Sequence, residues 1–508
     1  MSLLPGTRTL SHWRVSGAVA ACLTLVSALA GCGPGSTPQP NDSTPPEVAS
    51  NVPAAGDDNV WVGQPIAVTF SEPLDPGTVN DTSVQLAGSG SVDIAKTLAL
   101  TGNTLTVTPV STLDLPQTLT LSLTAGIQDL AGNPLEPATW SWTVPSWLRL
   151  GDDPVLTYTG DSFVYWPHLA LDTHDRPVVA GNREESPQAL LRRWDGTAWV
   201  DIPPPNGADG SGYIHDLAMA VDDPVVAWSG RFEDGPDSDF YVSRWDGEAW
   251  TLLGGGLKVG DVIPEEAALA VTSSGLPIIA FSQKAMGGNS PADLLVKRWT
   301  GTTWQALGAK LDVNDGAAIQ DIDIVLDGDD DPIVSWGERF FDVSFVKAWD
   351  PTLQTWQLLG GAISTSEQAP AMVVRAGGEL VAADNASDQT IRLFRYAAPN
   401  WVPLGPALRR DESRTTTDPS LIENAAGEVM VGWSEIGAAG SSVEVATLRA
   451  GAWVFTEDAI TISAPSGLSN VSLGLLDGAT PVVVYTLFRP HDIGFEFDNE
   501  TRFRQHNE

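Results

Sequence analysis

The chain repeats itself. Arg244-Trp245-Asp246-Gly247-Glu248-Ala249-Trp250-Thr251-Leu252-Leu253-Gly254 is preceded by Arg193-Trp194-Asp195-Gly196-Thr197-Ala198-Trp199 and followed by Arg298-Trp299-Thr300-Gly301-Thr302-Thr303-Trp304. Weaker copies end at Trp356, Trp401 and Trp453, and Trp147 opens the series. The closing tryptophans lie 45 to 54 residues apart, and 55 residues follow the last. A unit of about 50 residues cannot bury its own apolar faces, so the copies must stack into an array.

Each copy reads as four strands. In the second, residues 215–221 alternate, a tight Asp222-Asp223 turn follows, and Pro224-Val225-Val226-Ala227-Trp228 is apolar throughout, as a strand buried on both faces would be. Residues 240–245 and 249–253 then flank Asp246-Gly247, an expected hairpin with positive φ at both turn positions. The buried second strand recurs seven times, ending with Pro481-Val482-Val483-Val484-Tyr485; Phe497-Asp498-Asn499-Glu500 stands where the last copy is expected to close. Seven four-stranded antiparallel units over residues 146–508 predict a seven-bladed β-propeller, with a linear β-solenoid as the alternative.

The N-terminus carries an address. Arg8 and Arg14 precede the apolar run Val15–Ala30, too short to span a bilayer and suited to export. Leu29-Ala30-Gly31-Cys32 resembles the lipobox of bacterial lipoproteins, which implies cleavage after residue 31 and lipidation of Cys32. The membrane is then a partner through that anchor, and Gly33 in place of aspartate favours the outer membrane or cell surface. Cys22 leaves with the leader, so no intramolecular disulfide remains.

Residues 32–46, rich in Pro, Gly, Ser and Thr, read as a flexible tether. Residues 47–145 alternate apolar and polar positions, as in 66–70, 104–108 and 118–123, which predicts a small β-sandwich. Thr44-Pro45-Pro46, Val68-Thr69-Phe70-Ser71-Glu72-Pro73-Leu74-Asp75-Pro76 and Gly126-Ile127-Gln128-Asp129-Leu130-Ala131-Gly132-Asn133-Pro134-Leu135 together resemble the SbsA-type bacterial Ig-like domain. That resemblance implies a spacer or adhesion module. Asp75 and Asp129 read as turn formers. The fold class expected is therefore all-β: an Ig-like β-sandwich followed by the propeller. The Trp-Asp-Gly-x-x-Trp hairpin resembles the Asp-box turn of sialidase-type propellers without its leading serine, and the units are similar to repeats of uncharacterised bacterial surface lipoproteins.

Strand alternation sends the short turns and Asp-Gly hairpins to one face, and the varied loops after the second and fourth strands to the other. On that second face the candidate ligand-binding residues are Arg183, Arg231, Glu338, Arg339, Asp384 and Glu435. Three arginines with nearby acids suggest a sialidase, but no tyrosine nucleophile is matched to them. The histidines are scattered, and neither HExxH, GxSxG nor a P-loop occurs, so no metal and no cofactor is expected. Ca²⁺ stays open as an account of the loop aspartates, although Asp327–Pro332 lacks the downstream glutamate of a Ca²⁺ loop.

With 27 Lys+Arg against 64 Asp+Glu, the formal charge is −37, which repels nucleic acid. The expectation is a monomeric, non-enzymatic surface lipoprotein presenting its propeller on an Ig-like stalk to bind a glycan or protein. The alternatives are a glycoside-acting enzyme and a purely structural envelope protein.

Overall fold

The computed structural model describes residues 42–508, apart from 111–112, 152–154, 157–163, 184–187, 206–211, 231–238, 286–291, 315, 364–367, 457, 465, 491–496 and 508. Cys32 and the export segment lie outside the described residues. Within them no helix is long and apolar enough to cross a membrane.

Two antiparallel sheets make the N-terminal sandwich. One orders Val48–Val52, Ile66–Phe70, Thr104–Pro109 and Lys96–Thr101; the other orders Val84–Ala87, Gln117–Leu123 and Ala138–Val144. Alternation decides which side chains enter: Ile66, Val68 and Phe70 are buried and their neighbours are not. They meet Leu86, Leu105, Leu119, Leu121 and Trp142 in one core. Asp75 accepts from Gly77 N, and Asp129 from Ala131 N and Asn133 N, so both aspartates hold turns.

The remainder is a seven-bladed propeller. Blade 1 comprises Val164–Leu171, Pro177–Arg183, Gln188–Trp194 and Trp199–Ile202. Blade 2 comprises Gly212–Ala220, Asp223–Gly230, Asp239–Trp245 and Trp250–Leu252. Blades 3, 4, 5 and 6 begin at Val262, Ala318, Ala371 and Thr415 and repeat the meander; blade 6 adds Ile460–Ser463 beside its third strand. First strands pack on one another from blade to blade, and Gly467–Leu476 of blade 7 closes the ring against Val164–Leu171.

Closure corrects one sequence expectation. Phe497–Glu500 is not a closing hairpin; it begins the long third strand Phe497–His506 of blade 7. The fourth strand comes from the other end of the propeller, where Trp147–Arg149 pairs with Arg504–His506. A ring built this way has no free sheet edge at its seam.

Neighbouring blades are joined by one repeated bond. Each closing tryptophan donates its indole N–H to a carbonyl where the preceding blade ends: Trp199 to Leu150 (2.5 Å), Trp250 to Pro203 (2.5 Å), Trp304 to Leu253 (2.6 Å) and Trp356 to Leu307 (2.7 Å). Trp401, Trp453 and Trp147 donate likewise to Leu359, Pro406 and Asp458, at 2.7, 2.9 and 2.7 Å. The glycine ending Leu-Leu-Gly makes room: Gly254 sits at φ +77°, and a Cβ there would lie 3.0 Å from both Trp299 and Trp304.

The hairpins differ from the expected two-residue turn. Trp245 pairs with Trp250 across four residues, and only Gly247 has positive φ (99°). Asp246 keeps ordinary backbone angles because its carboxylate accepts from Glu248 N and Ala249 N at 2.9 and 2.8 Å.

The sandwich is fastened to the seam. Asn59 gives Nδ2 to Arg149 O (3.0 Å) and accepts from Arg149 N (2.7 Å), as a paired strand would. Asp58 forms an ion pair with the Arg149 guanidinium. Asn507, buried, accepts from Val62 N (2.9 Å) and donates to Val60 O and Pro145 O.

Candidate functional site

The two faces of the ring are built differently. On one, the turns between first and second strands hold one another: Thr173 donates to Asp222, Ser273 to Asp330, Ala376 N to Glu423, Ala425 N to Gly478 O and Asp477 N to Asp175. The repeated arginine before the hairpin pairs with a turn aspartate on this face: Arg193 with Asp172 and Arg244 with Asp223 within their own blades, and Arg298 with Asp331 of the next blade. That arginine, the most regular charge in the motif, thus belongs to the scaffold. Asp327, in the aspartate-rich turn, accepts from Asp329 N and Asp331 N.

On the opposite face the loops after second and fourth strands meet, and the candidate residues separate there. Glu338 is fully buried: its carboxylate accepts from Val313 N (2.6 Å), Asn314 N (3.1 Å), Asn314 Nδ2 (2.7 Å) and Trp336 Nε1 (3.1 Å). Glu435, also fully buried, accepts from Arg410 N (2.6 Å), Asp411 N (3.0 Å) and Trp433 Nε1 (3.1 Å). Both carboxylates lock the loop arriving from the preceding blade, which uses up the lone pairs a ligand would need. Asp384 is 2% exposed, and its neighbour Asn385 donates to Gln368 of the incoming loop. Arg183 is half-buried at the end of its strand, Arg339 is exposed, and Arg231 lies outside the described residues. Of the five described candidates, Glu338 and Glu435 are thus each committed to their own incoming loop.

Other polar residues recur on the first strands, which pack on one another around the ring. In six blades the pairing of first and second strands slips once, at Ala180/Asn182, Ile214/Asp216, Pro264/Ala267, Gln320/Ile322, Thr417/Ser420 and Ser469/Ser472. A bulge re-aims the extra residue. In five of these blades the residues at or beside the slip are Trp166, His215, Glu265 with Glu266, Asp321 and Asn470, all on the first strands. Trp166 is 53% exposed, and Trp166, Asp321 and Asn470 have positive φ.

These groups feel one another. Burial raises Glu266 to about 7, helped by the charges of Asp321 and Glu265. Burial, with Asp216 as a like charge, raises Asp323 to about 7 even though it accepts from Met372 N (2.7 Å) and Ile324 N (2.8 Å). His215, bonded through Nε2 to Ser229 Oγ (2.7 Å), is lowered to about 3 by burial and by His168. Lys284 forms an ion pair with Glu265. The first strands thus carry carboxyl groups close enough to raise one another's pKa, beside a buried imidazole.

One signal for these groups was present in the sequence. His215-Asp216 and Glu265-Glu266 are consecutive polar pairs inside otherwise alternating strands, which breaks the period of two. Apart from the bulges, Asp216 and Asp323 join inner strands of adjacent blades, through Leu269 N (2.7 Å) and Met372 N (2.7 Å). Two further acidic groupings, Asp172/His174/Asp222 and Asp42/Glu72/Asp129, bring ligand-type atoms close together.

Residues 42–144 match the family model described as a bacterial Ig-like domain. No curated protein sequence matches the chain. Among solved structures, a protein of unknown function from Dyadobacter fermentans is 12% identical, with TM-score 0.42, covering 72% of this chain and all of its own. An ulvan lyase of a new polysaccharide lyase family is 10% identical, with TM-score 0.45, covering 70% of this chain and 96% of its own. An Aleuria aurantia lectin bound to a fucosyl disaccharide is 13% identical, with TM-score 0.39, covering 60% and 99%.

Proposed function

We propose that the chain is a lipoprotein, anchored through Cys32 at the outer membrane or cell surface, whose Ig-like stalk holds out a propeller that binds a glycan or a protein without catalysis. The contrast between the faces carries this reading. One face is made of short, similar turns that hold one another between several neighbouring blades, whereas the other exposes unlike side chains: Trp166, Asp321, Arg339, Phe340 and Phe341. Uniformity serves a scaffold, and exposed variety serves recognition. Arg183 and Arg339 are the members of the candidate set that this reading retains. The docked sandwich suits a stalk, because its bonds to Arg149 and Asn507 fix the direction in which the ring is presented.

The experiment is a glycan array, run beside a pull-down from surface extracts, with the detergent-solubilised mature protein. Specific capture in either supports a recognition protein. Blank results in both, with the melting transition intact, would leave a structural envelope protein as the better reading. Anchoring is tested separately: Cys32→Ala should release the chain from membranes, and a variant that survives a high-salt wash in the pellet contradicts the anchor.

One observation favours a second reading, a glycan-cleaving enzyme. Glu266, with a pKa near 7 beside Asp321, has the protonation of a general acid. Reducing ends released by the wild type and absent with Glu266→Gln would establish it.

A further inference from the structure

We propose that Arg339-Phe340-Phe341-Asp342, the turn joining the second and third strands of blade 4, is a stacking platform for the apolar face of a neutral pyranose. The inference rests on the glycan branch of the reading above and names its ligand chemistry.

Phe340 is 71% exposed and Phe341 44%, the two most exposed phenylalanines whose burial is described. Phe340 sits at φ +76° and Asp342 at φ +51°. A bulky side chain seldom adopts that region unless its surroundings hold it there. What holds it is the buried end of the strand before it. Glu338 is locked by Val313, Asn314 and Trp336, and Phe341 N donates to Glu338 O at 3.3 Å. The rings therefore stand on a fixed base.

The scaffold does not require them. Blade 6 has the same lock, in which Glu435 is held by Arg410, Asp411 and Trp433, yet its turn Gly437–Gly440 carries no aromatic residue. Two phenyl rings turned to water on a strained turn contribute little to folding, which leaves recognition as their use.

Sugar fits the platform better than protein does. Two rings offer at most about 500 Å², taking about 250 Å² each, against roughly 800 Å² per partner in a standard protein interface. They are flanked by exposed hydrogen-bonding groups, Arg339 and Asp342, and the Arg339 guanidinium lies 5.9 Å from the Phe340 ring. A pyranose presents the complementary pattern, a C–H face bordered by hydroxyls. The formal charge of −37 disfavours polyanionic sugars.

Affinity electrophoresis of the full mature protein through gels containing dextran, galactomannan or β-glucan tests this. At least one polysaccharide should retard the wild type, and about 0.5 M salt should not abolish it, because stacking is not screened. Phe340→Ala/Phe341→Ala should weaken retardation at least about tenfold, as loss of an aromatic hot spot does. The tryptophan pair at the same positions should keep it, and Ile436→Ala, at the matching strand end of blade 6, should change nothing. Equal retardation of the double alanine variant overturns the platform and leaves glycan binding standing. Retardation abolished by salt overturns the neutral ligand class. A wild type retarded by none of the three overturns this inference; the glycan array decides separately whether the broader reading survives.

Discussion

At the scale of single residues, neighbours in sequence have opposite duties. Glu338 and Arg339 are adjacent, yet one is fully buried and the other exposed. Glu338→Ala would strand the N–H groups of Val313, Asn314 and Trp336, and should destabilise the protein by about 3–5 kcal/mol in chemical denaturation. Arg339→Ala should cost less than about 0.5 kcal/mol. Sequence alone placed both in one candidate set, because a glutamate ending a strand reads the same whether it caps a loop or meets a ligand. The buried carboxyls of the first strands make a pH prediction. Glu266 and Asp323 rise from 4.5 and 3.8 to about 7 on folding, so they stabilise the native state at low pH and lose that contribution as pH rises through 7. His215 falls from 6.5 to about 3 and opposes them below 6.5. Two carboxyls outweigh one imidazole, so the melting temperature should climb between pH 8 and pH 5.5, and Glu266→Gln should flatten the climb. A profile that Glu266→Gln leaves unchanged would contradict the assignment.

At the scale of elements, the hairpin with its tryptophan is the repeating joint. Its existence, period and strand order were legible because Trp, Asp and Gly recur in register. Its geometry was not, because Asp246 substitutes side-chain hydrogen bonds for a second positive φ. Burial of the closing tryptophan varies between copies: Trp199 is 5% exposed, whereas Trp250 is only half-buried. Trp250→Phe removes chiefly the bond to Pro203 O, so it should cost about 1 kcal/mol. Trp250→Ala should cost about 2–4 kcal/mol, and Trp199→Ala more than Trp250→Ala. If Trp250→Ala costs nothing measurable, the indole clasp does not hold blades together. The bulges were the least legible elements, since a single extra residue leaves composition untouched and shows only as a broken alternation.

At the scale of the whole molecule, the ring is sealed by a strand lying more than 300 residues from its partner, a pairing that no local pattern announces. Removing residues 147–149 should therefore leave blade 7 with an open edge and lower the melting temperature of the whole propeller rather than of one blade. Asn507→Ala removes the bonds to Val60, Val62 and Pro145, and should separate calorimetric unfolding of sandwich and propeller into two transitions. The central claim is that recognition belongs to the face of unlike loops. Hydrogen–deuterium exchange of the mature protein, with and without a polysaccharide that retards it, tests that claim most directly. The account predicts slowed exchange at Trp166–His168, Ile214–Asp216 and Arg339–Val343, with the hairpins unaffected. Protection confined to hairpins such as Asp246–Ala249 would put the ligand on the opposite face and contradict it.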